Sequence, residues 1–437
     1  MIAQLAQSAM GFVDTLMAGQ VNSQELAAVA LGASIWMPLF LACEGVLMAT
    51  TPLVAHQVGR NASKETVGTF YQGIWIALFL SLFSIITLNQ ADEILALMGV
   101  NAALAVKTTA YLDAIQYGFP AILFYQVVRS YSEGFGRTQP VMKIAVLGLL
   151  CNIPLNYVFI YGKLGLPAMG AEGCGWATAI VMIIMLMTGL VYLNRTPIFR
   201  DIKLLQTPQR PKLQLLGQFL KLGIPIGISL LIEASMFSVI ALLLADLGDQ
   251  VIAAHQITLS FTGLTFMVPL SIAMAITIRV GHLQGAANPE GARFAAFTGL
   301  IMTLCCAAIS SSFMLGVPEF ITGWYTNEQQ LITHAASLLT IAALFQFSDA
   351  IQVAYAGALR GYKDTFIPLT MVFVAYWVIG LPMGMALART DALVPGMGAA
   401  GFWVGLVIGL TIGAILLLYR LRIIAQRHIC QAPAHTC

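Results

Sequence analysis

Long runs of apolar residues recur along the whole chain and are separated by short polar connections. The hydrocarbon core of a bilayer is about 30 Å thick, which a helix of roughly 20 apolar residues crosses. We therefore predict an all-α polytopic membrane protein of about twelve transmembrane helices. The predicted helices lie near residues 1–18, 25–58, 67–90, 105–135, 140–162, 172–193, 216–245, 251–284, 293–316, 331–360, 366–388 and 398–423.

The composition agrees with a chain that is mostly surrounded by the lipid bilayer. Of its 437 residues, 59% are hydrophobic and only 9% are charged. Soluble domains carry about 25% charged residues, so this chain has too few charges to cover a water-facing surface. The net charge of +2 creates no strong field, and we expect no nucleic-acid partner.

The positive charges alternate between the connections that join the predicted helices. The even-numbered connections and the C-terminus hold seventeen Lys and Arg residues, and the odd-numbered connections hold three. Cytoplasmic loops of membrane proteins carry the excess of Lys and Arg. We therefore expect both termini to be cytoplasmic.

The longest polar segment divides the predicted helices into two groups of six. Residues 194–213 include six charged residues and stand at the middle of the chain. We interpret this segment as a cytoplasmic linker between two lobes. The predicted domains are an N-lobe over 1–193, a linker over 194–215, a C-lobe over 216–424 and a cytoplasmic tail over 425–437.

The two lobes resemble each other in sequence. Residues 25–73 match residues 251–299 without a gap, at an offset of 226 and with 11 identities in 49 positions. Such a parallel repeat predicts two pseudo-symmetric lobes around a central cavity, as in alternating-access transporters. The offset also leads us to expect that helix 1 is truncated at its cytoplasmic end.

Three carboxylates stand inside apolar runs, and a carboxylate at bilayer depth is a candidate functional group. Glu233 and Asp349 have no basic residue three or four positions away. The plainer interpretation of each is a structural hydrogen bond to another helix. Asp14 lies about one turn from the end of helix 1, where water can reach it. We single out all three as candidate cation-binding residues.

Two amides on predicted helix 5 form a second candidate set. Asn152 and Asn156 are four residues apart and therefore share one helix face, with Pro154 between them. Amide and carboxylate oxygens are hard ligands that suit Na⁺. The alternative is interhelical hydrogen bonding, which is common for Asn in membranes. Elsewhere, the spacing of Arg129 and Glu133 predicts an ion pair.

The sequence offers no sign of an enzyme or of a bound cofactor. The seven cysteines have no metal-ligand spacing, and there is no Gly-rich phosphate loop and no GxSxG motif. We expect no resident metal and no cofactor. A membrane enzyme and a channel are the alternatives from other functional classes, and isolated carboxylates in two unequal lobes fit a channel poorly.

Several segments together resemble the multidrug and toxic compound extrusion (MATE) family, in particular its NorM-type members. The segments are MGFVDTLMAG (10–19), NIPLNYVFIYG (152–162), GCGWATA (173–179), AAHQ (253–256), IRVGHLQG (278–285) and LRGYKD (359–364). They cover both lobes, so the resemblance extends over essentially the whole chain.

The resemblance implies a secondary transporter of a bacterial inner membrane, and we expect the transporter to be a monomer. It would export cationic or amphipathic drugs and other organic cations in exchange for Na⁺ or H⁺. The family's cation sites fall on Glu233 and Asp349 in the C-lobe and on Asp14, Asn152, Asn156 and Thr178 in the N-lobe. Thr178 is implied by the resemblance alone.

One departure from the family and one rival function remain. NorM-type members can place a Tyr one turn before the helix-10 Asp, whereas this chain has Phe345. We therefore expect weaker cation binding in the C-lobe.

The rival function is a flippase for lipid-linked sugars on the same scaffold, which would need a more cationic interior to receive phosphates.

Overall fold

The computed structural model describes residues 1–97, 99–390 and 396–431, apart from the side chain of Ala245. All regular secondary structure in these ranges is helical, with no strand. The predicted all-α class is confirmed. The helices are α1 (Ile2–Gly19), α2 (Ser23–Leu47), α3 (Thr50–Gly59), α4 (Thr66–Leu88), α5 (Ala91–Leu97), α6 (Ala102–Gln116), α7 (Phe119–Gly134), α8 (Gln139–Tyr161), α9 (Ala171–Arg195), α10 (Pro197–Asp201), α11 (Leu213–Leu244), α12 (Asp249–Gly285), α13 (Pro289–Gly316), α14 (Pro318–Thr322), α15 (Gln329–Gly361), α16 (Phe366–Phe373), α17 (Leu381–Arg389) and α18 (Ala399–Gln431).

The chain divides into two compact units. One unit is Ile2–Gly227, which we call the N-lobe, and the other begins at Ile228 and also includes Met1. We call this second unit the C-lobe. The division falls inside α11, whereas the C-lobe predicted from the sequence starts at residue 216. The predicted domain boundaries remain a prediction.

Ten helical segments among the described residues are long and apolar enough to cross a membrane. α1 and the α6–α7 segment are not among them. The count of twelve spans and the truncation of helix 1 therefore remain predictions. The predicted helix 105–135 is two helices that meet at Tyr117 and Gly118. Gly118 packs so closely against α9 that an added Cβ would lie 2.7 Å from Ala179 Cα.

Large apolar side chains cover much of the outer surface of the long helices. Phe79 and Ile86 on α4 are 69% and 63% exposed, and Ile301 and Ile309 on α13 are 61% and 72% exposed. Water would be a poor solvent for so many exposed apolar groups. Their exposure is what a lipid-facing surface requires.

The internal packing of the two lobes repeats residue by residue. In the N-lobe, Thr51 Oγ1 donates to the Ser130 carbonyl at 3.2 Å, and in the C-lobe Thr277 Oγ1 donates to the Gly357 carbonyl at 2.8 Å. A Cβ atom added at Gly134 would lie 2.7 Å from Val54 Cβ. At the equivalent glycine of the C-lobe, a Cβ atom added at Gly361 would lie 2.8 Å from Val280 Cβ. The contacts link α3 to α7 and α12 to α15, as the sequence repeat predicts.

Candidate cation sites in the two lobes

The N-lobe candidate site is built around the Asp14 carboxylate, which α1 presents to α8 and α9. Asp14 is 8% exposed, and its Oδ1 accepts from Asn152 Nδ2 at 2.9 Å and from Asn156 Nδ2 at 2.6 Å. Asp14 Oδ2 accepts from Thr178 Oγ1 at 3.0 Å. The structure thus brings all four predicted N-lobe residues together.

Both oxygens of the Asp14 carboxylate accept hydrogen bonds, but within the described ranges one amide oxygen of the site does not. Asn156 Nδ2 also donates to Asn152 Oδ1 at 3.1 Å, whereas Asn156 Oδ1 is buried and has no partner among the described residues. Buried acceptors normally have a partner. The site therefore combines a carboxylate, whose charge three donors stabilise, with a carbonyl oxygen that is free to accept a proton donor or a cation.

The spacing of polar residues explains how α1 and α8 meet at this point. Asn152 and Asn156 lie one turn apart on the buried face of α8, and both are nearly inaccessible to solvent. One turn further along, Tyr161 Oη donates to the Met17 carbonyl at 3.0 Å. This contact holds the end of α1 against α8 and so keeps Asp14 beside the amides.

The C-lobe candidate site lies where α11 faces α15 and the segment after α16. Gln352 Nε2 on α15 makes a long hydrogen bond of 3.4 Å to Glu233 Oε1 on α11. The same nitrogen donates to Tyr376 Oη at 2.5 Å. Tyr376 lies in a π-helical segment, Val374–Gly380, and such segments are frequent at functional sites.

Asp349 lies one turn before Gln352 on α15, close enough to Glu233 for the two charges to interact. Arg360 also interacts electrostatically with Glu233. Within the described part of the chain, Asp349 has no hydrogen-bond donor and no salt-bridge partner. The two predicted C-lobe residues are therefore brought together, with Asp349 the less satisfied of the pair.

Sequence reasoning missed Gln352, Tyr376 and Arg360. The polar Gln352 stands three residues after Asp349, and this spacing on one helix face could have identified it. Tyr376 had no such signal, because its position depends on the local π-helix. In the N-lobe, Tyr111 and Cys174 also lie close enough to Asp14 to interact electrostatically with it.

The described residues contain no group of three or more His, Cys, Asp or Glu side chains that could hold a metal ion. The two candidate sites instead combine carboxylates with neutral oxygen and nitrogen groups. Such sites can bind and release a proton or a weakly held monovalent cation, because few strong ligands converge on one point.

Comparisons with known proteins identify the family. The model of the MatE family matches residues 1–158 and 225–386. The chain belongs to the MATE family. The MATE proteins it resembles include "Multidrug resistance protein PmpM" of Pseudomonas aeruginosa, which is 47% identical over 432 residues, 99% of this chain and 91% of that protein. "Multidrug resistance protein MdtK" of Yersinia pseudotuberculosis is 43% identical over 438 residues, 99% of this chain and 96% of that protein.

Solved MATE structures have the same fold. A MATE transporter in the straight conformation aligns with a TM-score of 0.89 at 21% identity and covers 98% of this chain and 94% of that one. A eukaryotic MATE transporter, AtDTX14, aligns with a TM-score of 0.85 at 20% identity and covers 99% and 96%. This MATE chain is therefore an integral, multi-pass membrane protein that belongs to a family of multidrug efflux transporters, which are not enzymes and use no cofactor.

Proposed function

We propose that this transporter exports cationic and amphipathic drugs in exchange for an inward flow of Na⁺ or H⁺, by alternating access. The relatives named for multidrug resistance support drug efflux as the general activity. The carboxylates inside the two lobes support the finer proposal, because they attract cationic cargo and the coupling ion alike.

The observation that carries the proposal is the surplus of negative charge at the C-lobe site. Glu233 interacts with Asp349, which raises the electrostatic energy of the pair, and Arg360 is the cation that acts on Glu233. A buried carboxylate without a counter-charge is costly. A proton, a Na⁺ ion or a cationic drug would each relieve that cost.

Exchange follows if the cation and the drug favour different states of the transporter. A ligand shifts a conformational equilibrium only by its differential affinity for the two states. In our proposal, cation entry from the periplasm occupies the carboxylates and favours drug release outward. In the inward-facing state, drug from the cytoplasm displaces the cation.

The N-lobe site is the proposed second place for the coupling ion. Three donors stabilise the ionised Asp14, and the unpartnered Asn156 Oδ1 is an oxygen available to a cation. Na⁺ binding would require further oxygens, which the Asn152 and Asn156 amides supply if they turn. Proton binding requires no such turn. The coupling ion is thus Na⁺ or H⁺.

We further propose that the transporter is a monomer of the bacterial inner membrane with both termini cytoplasmic. The even-numbered connections and the C-terminus hold seventeen basic residues, whereas the odd-numbered connections hold three. This distribution supports the proposed orientation. The domain limits that we propose are those of the sequence, with the linker over 194–215 on the cytoplasmic side.

A flippase for lipid-linked sugars is the less favoured function. Its phosphate-bearing cargo would need cationic groups at the sites. The candidate sites contain three carboxylates, Asp14, Glu233 and Asp349, against the one arginine that acts on Glu233. The named relatives are multidrug resistance proteins rather than lipid carriers.

The proposal is tested by drug resistance in cells that lack other efflux pumps. Glu233→Gln and Asp349→Asn should reach the membrane in normal amount and lose resistance to cationic drugs. Glu290→Gln is the matched control, because Glu290 is an exposed carboxylate in the first turn of α13 in the same lobe. Full resistance in both site variants would refute the role of these carboxylates.

A further inference from the structure

A second group of charged residues is buried in the N-lobe, apart from the Asp14 site. Arg129 on α7 lies at its centre and is 3% exposed. Arg129 Nε donates to Glu133 Oε1 at 3.1 Å, and Arg129 Nη1 lies 3.6 Å from Glu44 Oε1 on α2. The predicted Arg129–Glu133 ion pair is confirmed. We call Glu44, Tyr125, Arg129 and Glu133 the Arg129 cluster.

The charges of the Arg129 cluster do not balance. Two carboxylates face one guanidinium, which leaves one surplus negative charge when both are ionised. The nearby groups of α1 are neutral, since Gln7 Oε1 and Gln4 Oε1 accept from Arg129 at 3.2 and 3.3 Å. The ionisable groups that act on one another here come from α2 and α7 and are the cluster members themselves.

Two polar atoms of the cluster are buried without a hydrogen-bond partner among the described residues. They are Glu133 Oε2 and Tyr125 Oη. The Tyr125 side chain is 1% exposed and interacts electrostatically with both Arg129 and Glu133, so its hydroxyl faces into the cluster. Buried atoms of this kind normally have partners. The cluster therefore lacks one positive charge, and one oxygen of Glu133 has no hydrogen-bond donor within the described part of the chain.

The internal repeat relates the Arg129 cluster to the C-lobe cation site, because residues of the two sites occupy equivalent positions in their own lobes. Gln7 corresponds to Glu233 at the offset of 226 residues. On α7 and α15 the offset is 227, as between Gly134 and Gly361, so Glu133 corresponds to Arg360. Tyr125 then corresponds to Gln352, the residue that contacts Glu233. Each lobe thus gathers charged groups at the same place in its fold.

We propose that the Arg129 cluster is a proton-binding site in which Glu44 carries the proton at neutral pH. A hydronium ion gives its proton to the Glu44 carboxylate: one of its O–H bonds breaks, an O–H bond forms on Glu44, and the water molecule leaves. The cluster then passes from one negative charge to neutrality.

Glu44 is the proton carrier because Arg129 holds Glu133 more tightly. The Glu133 contact is a hydrogen bond of 3.1 Å, whereas the Glu44 contact of 3.6 Å is longer than a hydrogen bond. The Glu44 side chain is also 18% exposed, against 7% for Glu133, so it is the more accessible of the two carboxylates. Na⁺ fits less well, because the neighbouring guanidinium repels it and few oxygens are free.

Infrared spectroscopy of the purified, full-length protein in lipid vesicles tests this site without any transport. A protonated carboxyl group has a carbonyl band distinct from that of a carboxylate. At neutral pH, Glu44→Gln should lower the intensity of the protonated-carboxyl band by the contribution of one carboxyl group. Glu133→Gln should lower it by the same amount, because Glu44 then becomes the sole acidic partner of Arg129 and ionises.

Glu25→Gln is the matched control on the same helix α2. Glu25 is already balanced, since Lys107 Nζ lies 2.5 Å from its Oε1 and the Ala171 amide donates to its Oε2 at 2.7 Å. Its replacement should leave the band unchanged. A band that persists undiminished in both Glu44→Gln and Glu133→Gln would overturn the proposal, whatever the outcome of the transport experiments.

Discussion

Asn156 donates its Nδ2 hydrogen to Asp14 Oδ1 at 2.6 Å, although the two residues are 142 positions apart in the chain. Asn152 donates to the same oxygen at 2.9 Å. The two amides therefore present nitrogen, not oxygen, to the carboxylate. This arrangement stabilises an ionised Asp14 by hydrogen bonds, and in the described part of the chain Asn156 Oδ1 has no partner.

Removal of the Asp14 charge should abolish coupled transport. In Asp14→Asn the two amides and Thr178 remain, so the fold is preserved while the charge that attracts the cation is lost. We expect dye export from vesicles to fall to the level of protein-free vesicles. Asp113→Asn should transport normally, because Asp113 is an exposed carboxylate of α6. Normal export by Asp14→Asn would remove Asp14 from the mechanism.

The hydroxyl of Thr178 offers a way to identify the coupling ion. Thr178→Val removes the hydrogen bond of 3.0 Å to Asp14 Oδ2, and a hydrogen bond to a charged group contributes about 1.5–3 kcal/mol. If Na⁺ is the ion and the Thr178 oxygen is one of its ligands, the loss of that oxygen should raise the half-saturating Na⁺ concentration. If H⁺ is the ion, the ionised Asp14 is destabilised and proton binding becomes easier.

Thr178→Ser keeps the hydroxyl and is the control, with a cation dependence like that of the unmodified protein. The measurement is dye export against Na⁺ concentration at fixed pH, then against pH without Na⁺. An identical dependence in Thr178→Val and Thr178→Ser would mean that Thr178 takes no part in cation binding.

Tyr376 should support the C-lobe site through Gln352. Tyr376→Phe removes the hydroxyl that accepts from Gln352 Nε2 at 2.5 Å, so the amide is no longer held beside Glu233. We expect a several-fold weaker cation dependence of transport with the fold intact. Tyr419→Phe, which alters a tyrosine that is 65% exposed on α18, should change nothing. Equal effects of the two substitutions would contradict this role.

Two corresponding glycines should be equally intolerant of a methyl group. An alanine Cβ at Gly134 or at Gly361 would lie within 3 Å of Val54 or Val280. Overpacking of this kind costs about 1–3 kcal/mol. Both Gly→Ala variants should unfold at lower temperature in detergent. Gly263→Ala is the control, because nothing lies within 4 Å of its added Cβ and alanine favours the helix.

Much of the fold could be predicted because the apolar runs and the repeat reflect simple physical requirements. The twelve predicted helices all coincide with helical segments, although 25–58 and 105–135 are interrupted and 366–388 contains the π-helical segment Val374–Gly380. The interruption at Gly118 depends on the close approach of Ala179 from another helix, which no local pattern reveals. The number of spans is not decided by helix length and hydropathy, since ten helical segments meet those criteria.

The candidate sites were predictable where one helix carries several polar residues. Asn152 and Asn156 share a face by their spacing, and a lone carboxylate such as Glu233 is conspicuous in an apolar run. The partners that come from other helices were not predictable. Tyr376 reaches Gln352 through a π-helical segment, and Glu44 reaches Arg129 from α2.

The central claim is that drug and cation are exchanged through the carboxylates of the two lobes. The most direct test uses proteoliposomes loaded with a fluorescent cationic dye, with no ion gradient across the membrane. We predict that dye outflow drives Na⁺ or H⁺ inward, as ion-sensitive indicators record, and that Glu233→Gln with Asp349→Asn abolishes this movement while Glu290→Gln preserves it. Dye outflow without any cation movement, or equal cation movement in the double variant, would contradict the account.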